Sequence, residues 1–168
     1  MAVTSSRTAT VTLPTDEQIL ITREFDAPKH LVYKAFTTPE LVKRWWHANR
    51  GEMTVAEIDL RVGGKWRYMM VAADGGFEVG FHGEYREIVP NERIVSTEIY
   101  EGLPEGVSEE DGATVNTATF VEADGRTTLT LLVQAANKIS RDAIIDSGME
   151  AGLQDALELL EQAAISLR

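Results

Sequence analysis

The chain has 168 residues, 43% of them hydrophobic and 26% charged, which is the make-up of one folded globular domain and not of a disordered segment. Its 16 basic residues against 27 acidic ones give a net charge of −11, a surface that repels phosphate backbones and anionic lipid, so nucleic acid and membrane insertion are not expected. The absence of cysteine rules out disulfides, thiolate nucleophiles and cysteine-ligated metal; with no signal-peptide core and no apolar run near the ~18 residues of a membrane span, a cytoplasmic protein is expected.

Residues 1–17 read as a flexible N-terminal extension in which 8–13 offers a short extra strand, and 18–168 as a single domain. Over 19–25 the two-residue period puts Ile19, Ile21 and Phe25 on one face, with Arg23 the exception among them. Asp26-Ala27-Pro28 opens a short helix that buries Val32, Ala35 and Phe36. Thr38-Pro39-Glu40 opens a second one, with the Thr38 hydroxyl as its cap and its end near Trp46.

Period-two alternation then predicts strands over 54–61, 65–72, 78–89, 92–100, 114–122 and 127–135, joined by short turns that make successive strands antiparallel neighbours. The acidic, glycine-containing stretch 102–113 is the one long connection; its plain reading is a solvated hairpin connection, and the alternative is a lid. Ser140 is the expected cap of a final helix reaching Leu167, ~40 Å long, with Ile145, Met149, Leu153, Ala156, Leu157 and Leu160 along one side. Gly148, Gly152 and Ala156 form a small-residue stripe on it, where either a neighbouring element approaches closely or a ligand lies.

This order of elements is an α+β plan: a curled seven-stranded antiparallel sheet wrapped around a long C-terminal helix, with two short helices after the first strand. A sheet that grips a helix without filling the space between them leaves a ligand-sized cavity. Alternation places Trp66, Tyr68 and Met70 together on one strand and Phe81 and Tyr85 together on another, facing inward, with Arg67, His82, Glu84 and Arg86 on the solvated side.

Catalytic signatures are sparse. His30, His47 and His82 have no metal-ligand spacing and no serine nucleophile beside them, and the glycines of GGFEVGFHG fit turns and bulges, not a phosphate loop. Asp59 alternates with Ile58 and Leu60 and points outward towards Arg61. Glu87 shares the phase of Phe81 and Tyr85, and Glu98 that of Ile94 and Tyr100, so each either enters the cavity, where desolvation would suit it to acid–base work, or pairs with Arg23 or Arg93. No catalytic residue, metal or cofactor is assigned.

The segments ILITREFDAP, VYKAFTTPELVKRWW, EIDLRVGGKWRY, HGEYREIVPNERIVSTE and SRDAIIDSGMEAGLQDALELLEQ together resemble homologues of the activator of the heat-shock-protein-90 ATPase. These belong to the SRPBCC superfamily, with START lipid-transfer domains, birch-pollen-allergen-like proteins and polyketide cyclases. The resemblance implies the helix-grip fold and brings no shared catalytic triad or metal site. Where many relatives continue the tryptophan pair with Gly-Pro, this chain has His47-Ala48, which places His47 at the cavity rim.

The expected function is binding of a small hydrophobic or aromatic molecule between sheet and helix, by Trp46, Trp66, Tyr68, Tyr85, Glu98, Tyr100, Met149 and Leu153. The alternatives are an enzyme of cyclase or hydrolase type using a cavity carboxylate and a module that stimulates a chaperone ATPase. A chaperone and a second copy of the chain are the macromolecular partners left open.

Overall fold

The computed structural model describes residues 8–103 and 105–168. Strands β1 (Thr10–Thr12), β2 (Gln18–Phe25), β3 (Gly51–Ile58), β4 (Lys65–Ala72), β5 (Glu78–Val89), β6 (Arg93–Tyr100), β7 (Thr114–Ala123) and β8 (Arg126–Gln134) form one sheet in the order β1-β2-β8-β7-β6-β5-β4-β3. Every neighbouring pair is antiparallel. Helices α1 (Lys29–Thr37) and α2 (Pro39–Trp45) fill the crossing from β2 to β3, the single turn α3 (Glu109–Gly112) lies between β6 and β7, and α4 (Lys138–Asp146) and α5 (Met149–Ile165) end the chain. This is an α+β architecture consistent with the helix grip.

Eight strands replace the seven expected. The additional one, β1, pairs with β2 through Thr10↔Thr22 and Thr12↔Leu20. Just before it, the Ala9 backbone exchanges two hydrogen bonds with the Gln154 side chain of α5, at 2.8 and 2.9 Å. A long-range tie of this kind leaves no local mark in the sequence. Residues 1–7 of the expected extension lie outside the described residues.

The expected single C-terminal helix is two. Gly148 has φ +82°, a left-handed conformation that costs glycine little and other residues more, and it separates α4 from α5. The start of α4 is capped by Asn137, whose side chain accepts from the Ser140 N–H at 2.8 Å, so Ser140 lies inside the first turn. At α2, Pro39 occupies the first turn as expected, but the Thr38 side chain makes no capping bond.

Gly152 is neither a close-approach site nor part of the cavity wall: a Cβ there would meet no atom outside its own helix within 4 Å. Gly152→Ala is therefore expected to raise stability by about 1 kcal/mol through helix propensity alone, which a urea denaturation midpoint would report. A fall in the midpoint would show that the site needs glycine.

The inner face of the sheet packs on α5, whose buried side carries Leu157, Leu160, Ala163 and Ala164, and α5 packs in turn on α1 and α2. Arg23 is part of this core, 2% exposed, with its guanidinium 4.7 Å from the Phe25 ring centroid. It pairs with Glu158 at 2.7 Å and with Glu161 at 3.5 Å, both on α5. Glu161 also accepts from the Asp26 N–H at 2.8 Å, so the residue that broke the apolar pattern of β2 joins sheet to helix.

Candidate functional site

Between the sheet and α5 lies a partly open cavity of about 240 Å³. Its sheet side carries Ile21, Ile94, Ala118, Leu131 and Val133, and its helix side Met149, Leu153, Ala156 and Leu157. Phe36, Trp45 and Trp46 from α1 and the end of α2 close one flank, and Trp66, Tyr68 and Tyr85 another. Three polar side chains interrupt this lining: Ser96, Glu98 and Asn116.

The aromatic flank follows from strand pairing. Trp66 lies opposite Gly83, where a Cβ would come within 2.7 Å of the indole nitrogen and 1.8 Å of the Thr97 carbonyl oxygen. Glycine there lets the indole cross β5, and its N–H donates to the Thr97 carbonyl at 3.2 Å. Tyr68 packs against Trp66 with centroids 4.8 Å apart, and Trp46 meets the edges of Tyr68 and Phe81 at 5.7 and 5.6 Å. Trp45 is fixed from behind, stacked on Phe36 and donating to the Ala35 carbonyl at 2.9 Å.

The polar group follows from β6. Ile94, Ser96 and Glu98 share its inner face, and across the β6–β7 pair Ser96 lies opposite Asn116 and Glu98 opposite Thr114. Glu98 keeps partial exposure, as a group in an open cavity does, yet enough protein surrounds it that burial pushes its pKa up from about 4.5 to about 7. It has no hydrogen bond or ion pair with another described residue, and burial is the one cause of its shift. Burial also raises the pKa of the Tyr68 and Tyr85 hydroxyls.

Seven of the eight anticipated residues line the cavity: Trp46, Trp66, Tyr68, Tyr85, Glu98, Met149 and Leu153. Tyr100 does not. It lies at the end of β6, 38% exposed, against the Phe81 ring at 5.0 Å. Glu87 is also outside, because a bulge between Tyr85 and Glu87 reverses the alternation of β5, turning Ile88 inward and Glu87 out to an ion pair with Arg93. Asp59 points outward and pairs with Arg61 at 2.8 Å, as expected.

One other expectation is corrected. His47 is not at the cavity rim; its Nδ1 accepts from the Asn49 N–H at 2.9 Å, and the residue borders a separate surface depression beside β3. No described residue of 102–113 lines the cavity, in keeping with the plain connection: the Asp111 carbonyl is held by the Ser140 hydroxyl at 2.8 Å, and Leu103 and Val107 lie near Arg67 and His82 on the outer face. There Arg67 grips Glu101 with two hydrogen bonds, of 2.9 and 2.8 Å, which with the His82 contact hold its carboxyl down at about 2.

The lining residues that sequence reasoning missed are chiefly Phe36, Trp45, Ser96 and Asn116. Ser96 was available from the period shared with Glu98; Asn116 needed the register of β7 against β6. Among the described residues no group of three or more His, Asp or Glu side chains is placed to hold a metal, and no helix is long and apolar enough to cross a membrane.

A large antiparallel sheet over a C-terminal helix, with a cavity between them, defines the class: an α+β protein consistent with the helix grip. The chain belongs to the family described as "Activator of Hsp90 ATPase homolog 1-like protein", whose profile matches residues 26–164. Among solved structures it is similar to a protein from Rhodobacter sphaeroides, at 24% identity and a TM-score of 0.84 over 95% of this chain and 99% of that one. A Chromobacterium violaceum protein is similar at 28% identity and a TM-score of 0.72, over 86% and 95% of the two chains. An AHSA1-like protein from Aeromonas hydrophila is 20% identical with a TM-score of 0.66, over 88% and 93%. No curated protein matches the sequence significantly.

Proposed function

We propose that the protein binds a small, mostly apolar molecule in the cavity between the sheet and α5. The observation that supports this best is the combination of an unfilled, aromatic-walled space with a lone carboxyl, since a side-chain core at native density has neither. At about 240 Å³ the cavity falls just below the ~300–1,000 Å³ of drug-sized sites. It suits one or two rings and has no room for a long acyl chain.

Indole, a flat probe of that size, is expected to bind saturably with one-to-one stoichiometry and to raise the melting temperature. Ala156→Leu, which fills the space from α5, is expected to fold and to lose the effect. A Leu153→Trp variant provides the same comparison should Ala156→Leu unfold. Absence of a saturable response, or an equal response in a folded, filled variant, would count against the cavity as the binding site.

A second reading has one observation in its favour. A carboxyl titrating near 7 is matched to general acid–base catalysis at neutral pH, and Glu98 meets that condition in a largely apolar cavity. A cyclase or hydrolase reaction at this carboxyl requires turnover that disappears in Glu98→Gln while ligand uptake remains.

A further inference from the structure

We infer that the molecule held in this cavity is a small aromatic amine carrying one positive charge, with its ammonium end seated at Glu98 beside Trp66; the inference rests on the ligand-binding reading above. The two carboxylates that α5 turns towards the sheet, Glu158 and Glu161, share the Arg23 guanidinium as their cationic partner. Glu98 has none, and no Lys, Arg or His is among the described residues lining its cavity. A carboxylate withdrawn from water without a counter-charge is unfavourable, and a ligand cation removes that cost.

The surroundings complete the match. Ser96 and Asn116 supply oxygen acceptors for the remaining ammonium hydrogens, and the faces of tryptophan and tyrosine attract cations. The overall charge of −11 raises the local concentration of cations and repels anions. A carboxylate ligand would bring a second negative charge to Glu98, and a neutral one would leave the first uncompensated.

Benzylamine, benzyl alcohol and benzoate share a body that fits the space and differ in the charge of the head group. At about pH 8, where Glu98 is mostly ionised, benzylamine is expected to bind about tenfold or more tighter than benzyl alcohol, and benzoate not at all. In Glu98→Gln the amine and the alcohol are expected to bind alike. Lowering the pH through about 7 should erase the preference as Glu98 takes up a proton. Tyr68 and Tyr85, the other titratable groups lining the cavity, stay neutral over this range, and α2, α5 and β7 contribute none.

Equal binding of amine and alcohol would overturn the charge assignment and leave the binding reading standing. So would a preference for benzoate, or an amine preference that survives in Glu98→Gln. Should that variant fail to fold, the pH dependence of the unaltered protein decides, and a preference unchanged below pH 7 overturns the assignment. Failure of all three probes to bind would overturn both readings.

Discussion

Arg23→Ala is expected to cost about 3–5 kcal/mol of stability, the range for removing one partner of a buried ion pair. The guanidinium faces two carboxylates of α5 and lies on the Phe25 ring. Its removal leaves Glu161, 1% exposed, amid apolar neighbours without that cation. Glu158 is a different kind of partner, with a third of its side chain in solvent, so Glu158→Gln is expected to cost about 1 kcal/mol or less. Urea denaturation of the two variants measures the contrast. Similar small losses would mean that apolar packing alone holds α5 in the grip of the sheet.

Glu98→Gln is expected to do the reverse and stabilise the ligand-free protein, by up to about 3 kcal/mol at pH 8, the free-energy equivalent of a pKa moved from about 4.5 to about 7. The sign follows from proton binding. Between those two values the folded chain holds a proton on Glu98 that the unfolded chain has released, so stability falls as pH rises through the window. Below about 4.5 the carboxyl is neutral in both states and the variant should match the parent; the gap opens towards pH 7 and is constant above it. A gap independent of pH, or a variant less stable than the parent at pH 8, would show that Glu98 is satisfied in the folded protein.

Both effects come from charged residues on the apolar face of a strand, and the sequence displayed both as departures from the two-residue period. Arg23 and Glu98 were visible in this way, as were the aromatic walls carried by Trp66, Tyr68 and Tyr85, because the period of a regular strand fixes which side chains share a face. Glu87 and Tyr100 were misplaced for physical reasons that alternation does not contain. A bulge inserts one residue and reverses the phase beyond it. The end of a strand can keep the phase of the inner face and still lie past the edge of the cavity, as Tyr100 does.

Other features depended on contacts between distant parts of the chain. β1 is held by the sheet and by Gln154, more than 140 residues away in sequence. Asn116 enters the site through the register of β7 against β6. The break before α5 had a local cause in Gly148, but a glycine inside an apolar helical pattern reads equally well as a packing site, and only its positive φ distinguishes the two. Composition and period thus located the cavity walls, whereas pairing and backbone conformation set the boundaries.

The most direct test of a receptor cavity locates a bound probe. Nuclear Overhauser contacts from indole to the methyl groups of Met149, Leu153 and Leu157 and to the Trp66 ring are the predicted result, since these groups face one another across the space. Contacts confined to groups outside the cavity, such as Tyr100 and Val107, with the Met149 and Leu157 methyls untouched, would contradict it.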